Sequence, residues 1–115
     1  MSEFSIYRHH TGDGTLTVSV AGEVDLATSG MLTAAIREAV NGDHVAELII
    51  DLGRVEFLDS TGITALIVGY RLAEKHGIGY RVTHPRRIVK RILDITGVLD
   101  VLTGRAPPRT GPSGD

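Results

Sequence analysis

The sequence predicts an α/β fold: one domain in which a mixed β-sheet of four to five strands is packed with three or more helices, in the order β-β-α-β-α-β-α. Three observations support this prediction. The length of 115 residues suits a single domain, and 42% of the residues are apolar, which is enough for a core. Segments of alternating polarity are interleaved with segments of helical periodicity. Because strands joined through helices run parallel, much of the sheet is expected to be parallel.

Two strands and a helix are predicted in the first 40 residues. Residues 4–9 have strand character and end before a glycine-rich turn signal at residues 12–14. Residues 15–22 alternate between apolar and polar side chains, as in a half-buried strand. The two strands are expected to form an antiparallel hairpin. Residues 26–40 place apolar side chains at helical spacing, which predicts the first helix.

The middle of the chain predicts a strand, a helix and another strand. Residues 47–52 form an apolar run that is rich in β-branched residues and too short for a helix, which is typical of a strand covered on both faces. A loop is predicted over residues 53–59. Residues 60–76 carry an apolar stripe at helical spacing, with Gly77 suited to end the helix. Residues 78–83 alternate again and predict the fourth strand.

The last predicted helix begins at residues 84–85, where a proline suits the first turn, and it ends at Gly97. Its inward-facing residues are expected to be Ile88, Val89, Ile92 and Leu93. Residues 98–102 favour a short final strand or turn. From residue 104 onward there is little apolar content to bury, which predicts disorder. The predicted domain is therefore 1–103, with a tail at 104–115.

Composition excludes several classes of function. A net charge of −2 gives no general attraction to nucleic acid or to an anionic membrane, so neither is expected as a direct partner. The absence of cysteine excludes a disulfide framework, a thiolate zinc site and a cysteine nucleophile. The five histidines lack metal-ligand spacing, so no metal and no cofactor is expected. The longest apolar stretch, residues 63–70, is far below the roughly 18 residues of a membrane span, and no signal peptide is recognisable, which together favour a cytoplasmic location.

The candidate site starts with the residues that open the second helix, which are Asp59, Ser60, Thr61, Gly62 and Ile63. They follow the most apolar strand, and regulatory sites in open sheets gather outside the carboxyl ends of strands. Aspartate, serine and threonine are also the commonest helix caps, so a purely structural role is an equal alternative on spacing alone.

A second acidic segment, Glu23 and Asp25, ends the second strand. If that strand lies beside residues 47–52, Asp25 and Ser60 emerge at the same edge of the sheet. Taken alone, Asp25 is better interpreted as the N-cap of the first helix.

Together, the Gly-Glu-Val-Asp segment at residues 22–25 and the Phe-Leu-Asp-Ser-Thr-Gly segment at residues 57–62 closely resemble the STAS domain of bacterial anti-sigma factor antagonists. Residues 86–98 are similar to the closing helix of that family, and the resemblance covers residues 4–103. It implies a binding switch and not an enzyme. Phosphorylation is implied at Ser60, which the resemblance favours over Thr61. The partner-binding surface is implied to comprise Asp25, Asp59, Thr61, Gly62, Glu23 and Ile63.

The partners are likewise implied by the resemblance. The unphosphorylated protein would bind an anti-sigma factor that is also a serine kinase with a histidine-kinase-like ATP-binding fold, and the sigma factor would be released. Phosphorylation of Ser60 would dissociate the complex, and a serine phosphatase would reset it. The alternative is a STAS subunit of another signalling or lipid-transport assembly, which acts as an interaction module.

Other functions are less well supported. A serine hydrolase needs an activating base and an oxyanion hole, and the Gly-x-Ser-x-Gly elbow is absent. A phospho-aspartate receiver needs an acidic pair after the first strand and a lysine near the end, and neither can be placed. The basic run of Arg86, Arg87, Lys90 and Arg91 is better interpreted as the solvated face of a helix than as a patch for an acidic partner or nucleic acid.

Overall fold

A computed structural model of the chain describes residues 3–42, 44–95 and 97. These residues form four strands and three helices in the predicted order, and the predicted α/β class is confirmed. The elements are β1 (Ser5–His10), β2 (Thr15–Val24), α1 (Ser29–Asn41), β3 (Glu47–Leu58), α2 (Ser60–Lys75), β4 (Gly79–Thr83) and α3 (Arg87–Ile95).

The four strands lie in one sheet in their chain order, β1-β2-β3-β4. β1 and β2 form the expected antiparallel hairpin, whereas β2, β3 and β4 run parallel. α1 connects β2 to β3 and α2 connects β3 to β4, because parallel neighbours need a crossover connection. The carboxyl ends of β2 and β3 therefore meet at one edge of the sheet.

The hydrophobic core lies on one face of the sheet. Alternate residues of β2 and β3 are fully buried there, and side chains from all three helices join them in a single cluster. Tyr80 of β4 marks this face, since its hydroxyl donates to the Leu66 carbonyl of α2 at 2.8 Å. The largest fully buried side chains are Leu16, Leu32, Ile36, Leu48, Ile50, Leu52, Leu58, Leu66 and Leu93.

The prediction that β3 is covered on both faces is wrong. Leu48 and Ile50 are buried, but the residues that alternate with them, Ile49 and Asp51, are only half-buried. The apolar run arises because β3 places an isoleucine on the face opposite α1 and α2.

The predicted loop at residues 53–59 is also wrong, because β3 continues to Leu58. β2 stays paired with β3 as far as Val24 and Leu58, but the register shifts twice, between Ser19 and Ala21 and between Gly22 and Glu23. At each shift β3 contains one residue more than β2, as in a β-bulge. The extra residues break the polarity pattern, which hides the strand in the sequence.

Two helix starts differ from their predictions. α1 begins at Ser29 and not at residue 26, because the residues after β2 form a hydrogen-bonded loop. α3 begins at Arg87 and not at Pro85: the Arg86 carbonyl accepts from the Lys90 N–H, whereas His84 lies outside the helix with a positive φ of 57°. Ile88 is 50% exposed, so its predicted inward orientation is wrong. Val89 and Leu93 are buried as expected, and the predicted strand or turn at 98–102 lies outside the described residues.

Candidate functional site

The candidate site is built on the paired ends of β2 and β3. Val24 and Leu58 are the last partners in their register, and the Asp59 N–H donates to the Val24 carbonyl at 3.1 Å. Asp25 follows Val24, and Ser60 follows Asp59. The structure therefore brings Asp25 and Ser60 to the same edge of the sheet, as the sequence predicted.

Asp59 is the N-cap of α2. One oxygen of its carboxylate accepts hydrogen bonds from the Thr61 N–H at 2.8 Å and the Gly62 N–H at 3.2 Å, and the Thr61 hydroxyl donates to the same oxygen. The Asp59 carbonyl accepts from the Ile63 N–H at 3.0 Å. Helices leave their first N–H groups without intrahelical partners, and here the Asp59 carboxylate satisfies two of them. The capping interpretation is thus right for Asp59.

The same hydrogen bonds set the charge of Asp59. The Thr61 hydroxyl is the main cause that lowers the pKa of the Asp59 carboxyl below its ordinary value, and the N–H groups of Gly62 and Thr61 add to it. Asp59 is therefore a carboxylate at neutral pH. It places a fixed negative charge next to Ser60.

Ser60 is the first residue of α2, and its side chain is exposed. None of the hydrogen bonds found among the described residues involves its hydroxyl, whereas the neighbouring Thr61 hydroxyl is held by Asp59. Ser60 lies in a shallow groove of about 250 Å³ between α1 and α2, which is also lined by Ser29, Thr33 and Thr64. Of the two hydroxyls in the motif, the accessible one is therefore that of Ser60.

Asp25 organises the loop between β2 and α1. Its carboxylate accepts from the Ala27 N–H at 3.0 Å and the Thr28 N–H at 3.2 Å, and the Asp25 N–H donates to the Thr28 hydroxyl at 2.9 Å. Thr28 is the N-cap residue of α1, so the alternative that Asp25 is the N-cap is wrong. The Thr28 hydroxyl also donates to the Glu23 carbonyl at 2.8 Å, which ties the loop to the end of β2.

Gly62 allows α2 to approach the sheet closely. It is buried, and a Cβ atom at this position would lie 3.0 Å from both Leu58 Cβ and Val24 Cγ1. Gly62 thus positions the site without offering a side chain to a partner. Ile63 is half-buried and packs against the core, and Glu23 is exposed at the end of β2.

Two residues of the loop after β2 were not predicted as part of the site. Thr28 has the hydrogen bonds just described, which an aspartate followed three residues later by a threonine could have suggested. Leu26, which the sequence placed at the start of the first helix, is 80% exposed. Only the loop conformation of residues 25–28 exposes it.

In the described part of the chain, no group of three or more histidine, cysteine, aspartate or glutamate residues is arranged to hold a metal ion. None of the helices found there is long and apolar enough to cross a membrane.

The sequence model of the STAS domain matches residues 7–110, which is most of the chain. This mixed sheet with its three helices is therefore the fold of a STAS domain. The chain belongs to the STAS domain family, as the sequence motifs suggested.

Several proteins that are similar to this chain are described as anti-sigma factor antagonists. A protein of Paenibacillus polymyxa described as an anti-sigma F factor antagonist is 29% identical over 94 residues, which span 82% of this chain and 79% of the relative. The anti-sigma-F factor antagonist RsfB of Mycobacterium tuberculosis is 44% identical over 54 residues, spanning 47% and 43% of the two chains. The crystal structure of an anti-sigma factor antagonist from Mycobacterium paratuberculosis superposes with a TM-score of 0.76 at 34% identity, covering 88% of this chain and 83% of that one.

Proposed function

We propose that this protein is an anti-sigma factor antagonist, a binding switch that Ser60 phosphorylation turns off. The observation that carries the proposal is the exposed, unengaged Ser60 hydroxyl at the start of α2, beside the Asp59 carboxylate and at the same edge as Asp25. Relatives described as anti-sigma factor antagonists support it. The unphosphorylated protein binds an anti-sigma factor that is also a serine kinase, and this binding releases the sigma factor.

The partner kinase, and not this protein, catalyses the phosphoryl transfer. The kinase supplies the ATP, the metal ion and the positioning for phosphoryl transfer, so Ser60 needs only to be reachable. Among the described residues, no histidine or carboxylate is hydrogen-bonded to the Ser60 hydroxyl as an activating base would be. The protein is accordingly a substrate of the kinase and of a serine phosphatase, not itself an enzyme, and it acts in the cytoplasm.

Phosphorylation adds a charge of about −1.5 to −2 to this edge. Three N–H groups at the start of α2 are already engaged and are not free to bind the phosphate, because Asp59 accepts from Thr61, Gly62 and Ile63. The new charge therefore adds to those of the two carboxylates and repels the docked kinase. A loss of only ~1.4 kcal/mol in binding energy weakens the complex about tenfold.

The first test is to incubate the protein with candidate anti-sigma kinases and Mg·ATP and to locate the phosphate by mass spectrometry. We expect a single phosphate on Ser60, none on the Ser60→Ala variant, and normal phosphorylation of a Thr61→Val control. Phosphorylation of Ser60→Ala at the rate of the unmodified protein would disprove the site.

The second test measures affinity for the kinase that the first test identifies. We expect Ser60→Ala to bind as tightly as the unphosphorylated protein and Ser60→Asp to bind at least about tenfold more weakly. Equal affinities of the two variants would contradict a switch based on charge.

A further inference from the structure

A second polar site lies on the face of the sheet opposite α1 and α2. Tyr7 of β1 is paired with Ser19 of β2, Ser19 with Asp51 of β3, and Asp51 with Thr83 of β4. Residues paired across neighbouring strands project from the same face. Four polar side chains thus form a row across the whole sheet, on the face that lacks the buried leucines and valines.

A bulge in β3 turns part of this row into a pit. Three residue steps separate Asp51 from Arg54, whereas only two separate their partners Ser19 and Ala21. The resulting depression has a volume of about 260 Å³ and is lined by Tyr7, Ser19, Val20, Asp51, Gly53 and Arg54. Bulges of this kind commonly redirect side chains at binding sites.

The pit presents opposite charges that do not neutralise each other. The Asp51 Oδ1 atom accepts the Gly53 N–H at 2.9 Å and lies 3.5 Å from His84 Nδ1. Arg54 is exposed, and the ion pairs found among the described residues do not include it. Asp51 and Arg54 therefore line one pit without an ion pair between them. A ligand that carries one positive and one negative charge could form an ion pair with each of these two side chains.

We propose that this pit binds a small zwitterion of the amino-acid class. The Asp51 carboxylate receives the ligand's ammonium group, and the exposed Tyr7 ring contributes a cation–π contact. The Arg54 guanidinium binds the ligand's carboxylate, for which its planar donors are suited. The Ser19 hydroxyl offers one further hydrogen bond. The volume is below that of drug-sized pockets, which favours a ligand this small.

The pit is independent of the proposed switch. Asp51, Arg54 and Leu58 belong to the same strand, and at ~3.3 Å per residue Arg54 lies roughly 13 Å and Asp51 roughly 23 Å from the Ser60 edge. A ligand in the pit would therefore leave Ser60 accessible, and β3 would connect the two sites.

The test is a titration of the full-length, ¹⁵N-labelled protein with each of the common amino acids up to about 10 mM, followed by NMR. We expect at least one of them to shift the Gly53 and Arg54 amides saturably, with a dissociation constant on the order of 1 mM. Asp51→Asn keeps an oxygen for the Gly53 N–H, and this variant and Arg54→Gln should each weaken binding about tenfold. Ser60→Ala should bind like the unmodified protein.

Arg81→Gln is the matched control. Arg81 lies on the same face but pairs with Glu47 at 3.3 Å and does not line the pit, so its removal should leave the affinity unchanged. Acetate and methylammonium carry one charge each and should bind at least about tenfold more weakly than the amino acid. The proposal is overturned if no amino acid gives a saturable shift at Gly53 and Arg54, if Arg54→Gln binds as well as Arg81→Gln, or if acetate alone binds equally.

Discussion

At the scale of single residues, the Asp59 carboxylate has two effects: it caps α2 and it keeps a negative charge beside Ser60. The lowered pKa of this carboxyl means that the folded protein binds its proton less readily than the unfolded chain does. The stabilisation is therefore complete above the unfolded pKa, near 3.8, and is lost as the pH falls through the lower folded value.

This dependence is tested by comparing the urea midpoints of the unmodified protein and Asp59→Asn between neutral and acid pH. Asparagine keeps an oxygen that accepts the capping hydrogen bonds, but it does not titrate. The difference in urea midpoint between the two proteins should therefore shrink as the pH falls below about 4. Glu74→Gln, at an exposed position in the last turns of α2, serves as the control. A pH-independent difference would mean that the charge of Asp59 does not stabilise α2.

At the scale of secondary-structure elements, Gly62 decides how closely α2 approaches the ends of β2 and β3. We expect Gly62→Val to lower the free energy of unfolding by about 1–3 kcal/mol, because the added carbons collide with Val24 and Leu58. Gly30→Val places the same side chain in a helix where nothing lies within 4 Å of the new Cβ. Urea unfolding should show the large loss only for the Gly62 variant. Equal losses would show that helix propensity alone, and not the close approach, is responsible.

A second contact at this scale joins α2 to β4 through Tyr80. Burial raises the pKa of Tyr80 above its ordinary value, and its hydroxyl bonds the Leu66 carbonyl. Tyr80→Phe should cost about 0.5–1.5 kcal/mol at neutral pH. The raised pKa stabilises the fold fully below the unfolded pKa of about 10, and the contribution is lost as the pH rises further. Tyr80→Phe should remove this alkaline loss, whereas Tyr70→Phe, whose ring packs edge-on against Tyr80, should retain it.

At the scale of the whole molecule, the switch is expected to act on the surface without refolding the domain. Ser60 is exposed and its hydroxyl bonds no described residue, so Ser60→Asp should change the free energy of unfolding by no more than about 0.5 kcal/mol. Circular dichroism of Ser60→Asp should match that of the unmodified protein. Loss of the folded signal would instead mean that phosphorylation acts by unfolding.

The domain boundary is a second prediction at this scale. Residues 104–115 contain one alanine and no larger aliphatic or aromatic side chain, so they have little to add to a core. A chain that ends at Thr103 should therefore unfold at the same urea midpoint as the full chain. A lower midpoint would show that the tail stabilises the domain and that the predicted boundary is too early.

The sequence by itself determined the order of the elements, the buried alternation of β2, and the capped motif at the start of α2. These features depend on local periodicity and on hydrogen bonds between near neighbours, which short segments encode. The helix that begins at Ser60 and the candidate residues Asp25 and Asp59 were found in this way. The element limits at residues 26, 53 and 85 were wrong because a loop, two bulges and a residue with positive φ interrupt the periodicity there.

Only the tertiary structure decided which of these residues meet and which stay exposed. The pairing of Val24 with Leu58 joins segments that lie more than 30 residues apart in the sequence, and no local pattern contains it. The same holds for the close approach at Gly62, for the groove beside Ser60, and for the row from Tyr7 to Thr83 on the opposite face. Long-range strand register sets these positions, because each pairing depends on the packing of both partners at once.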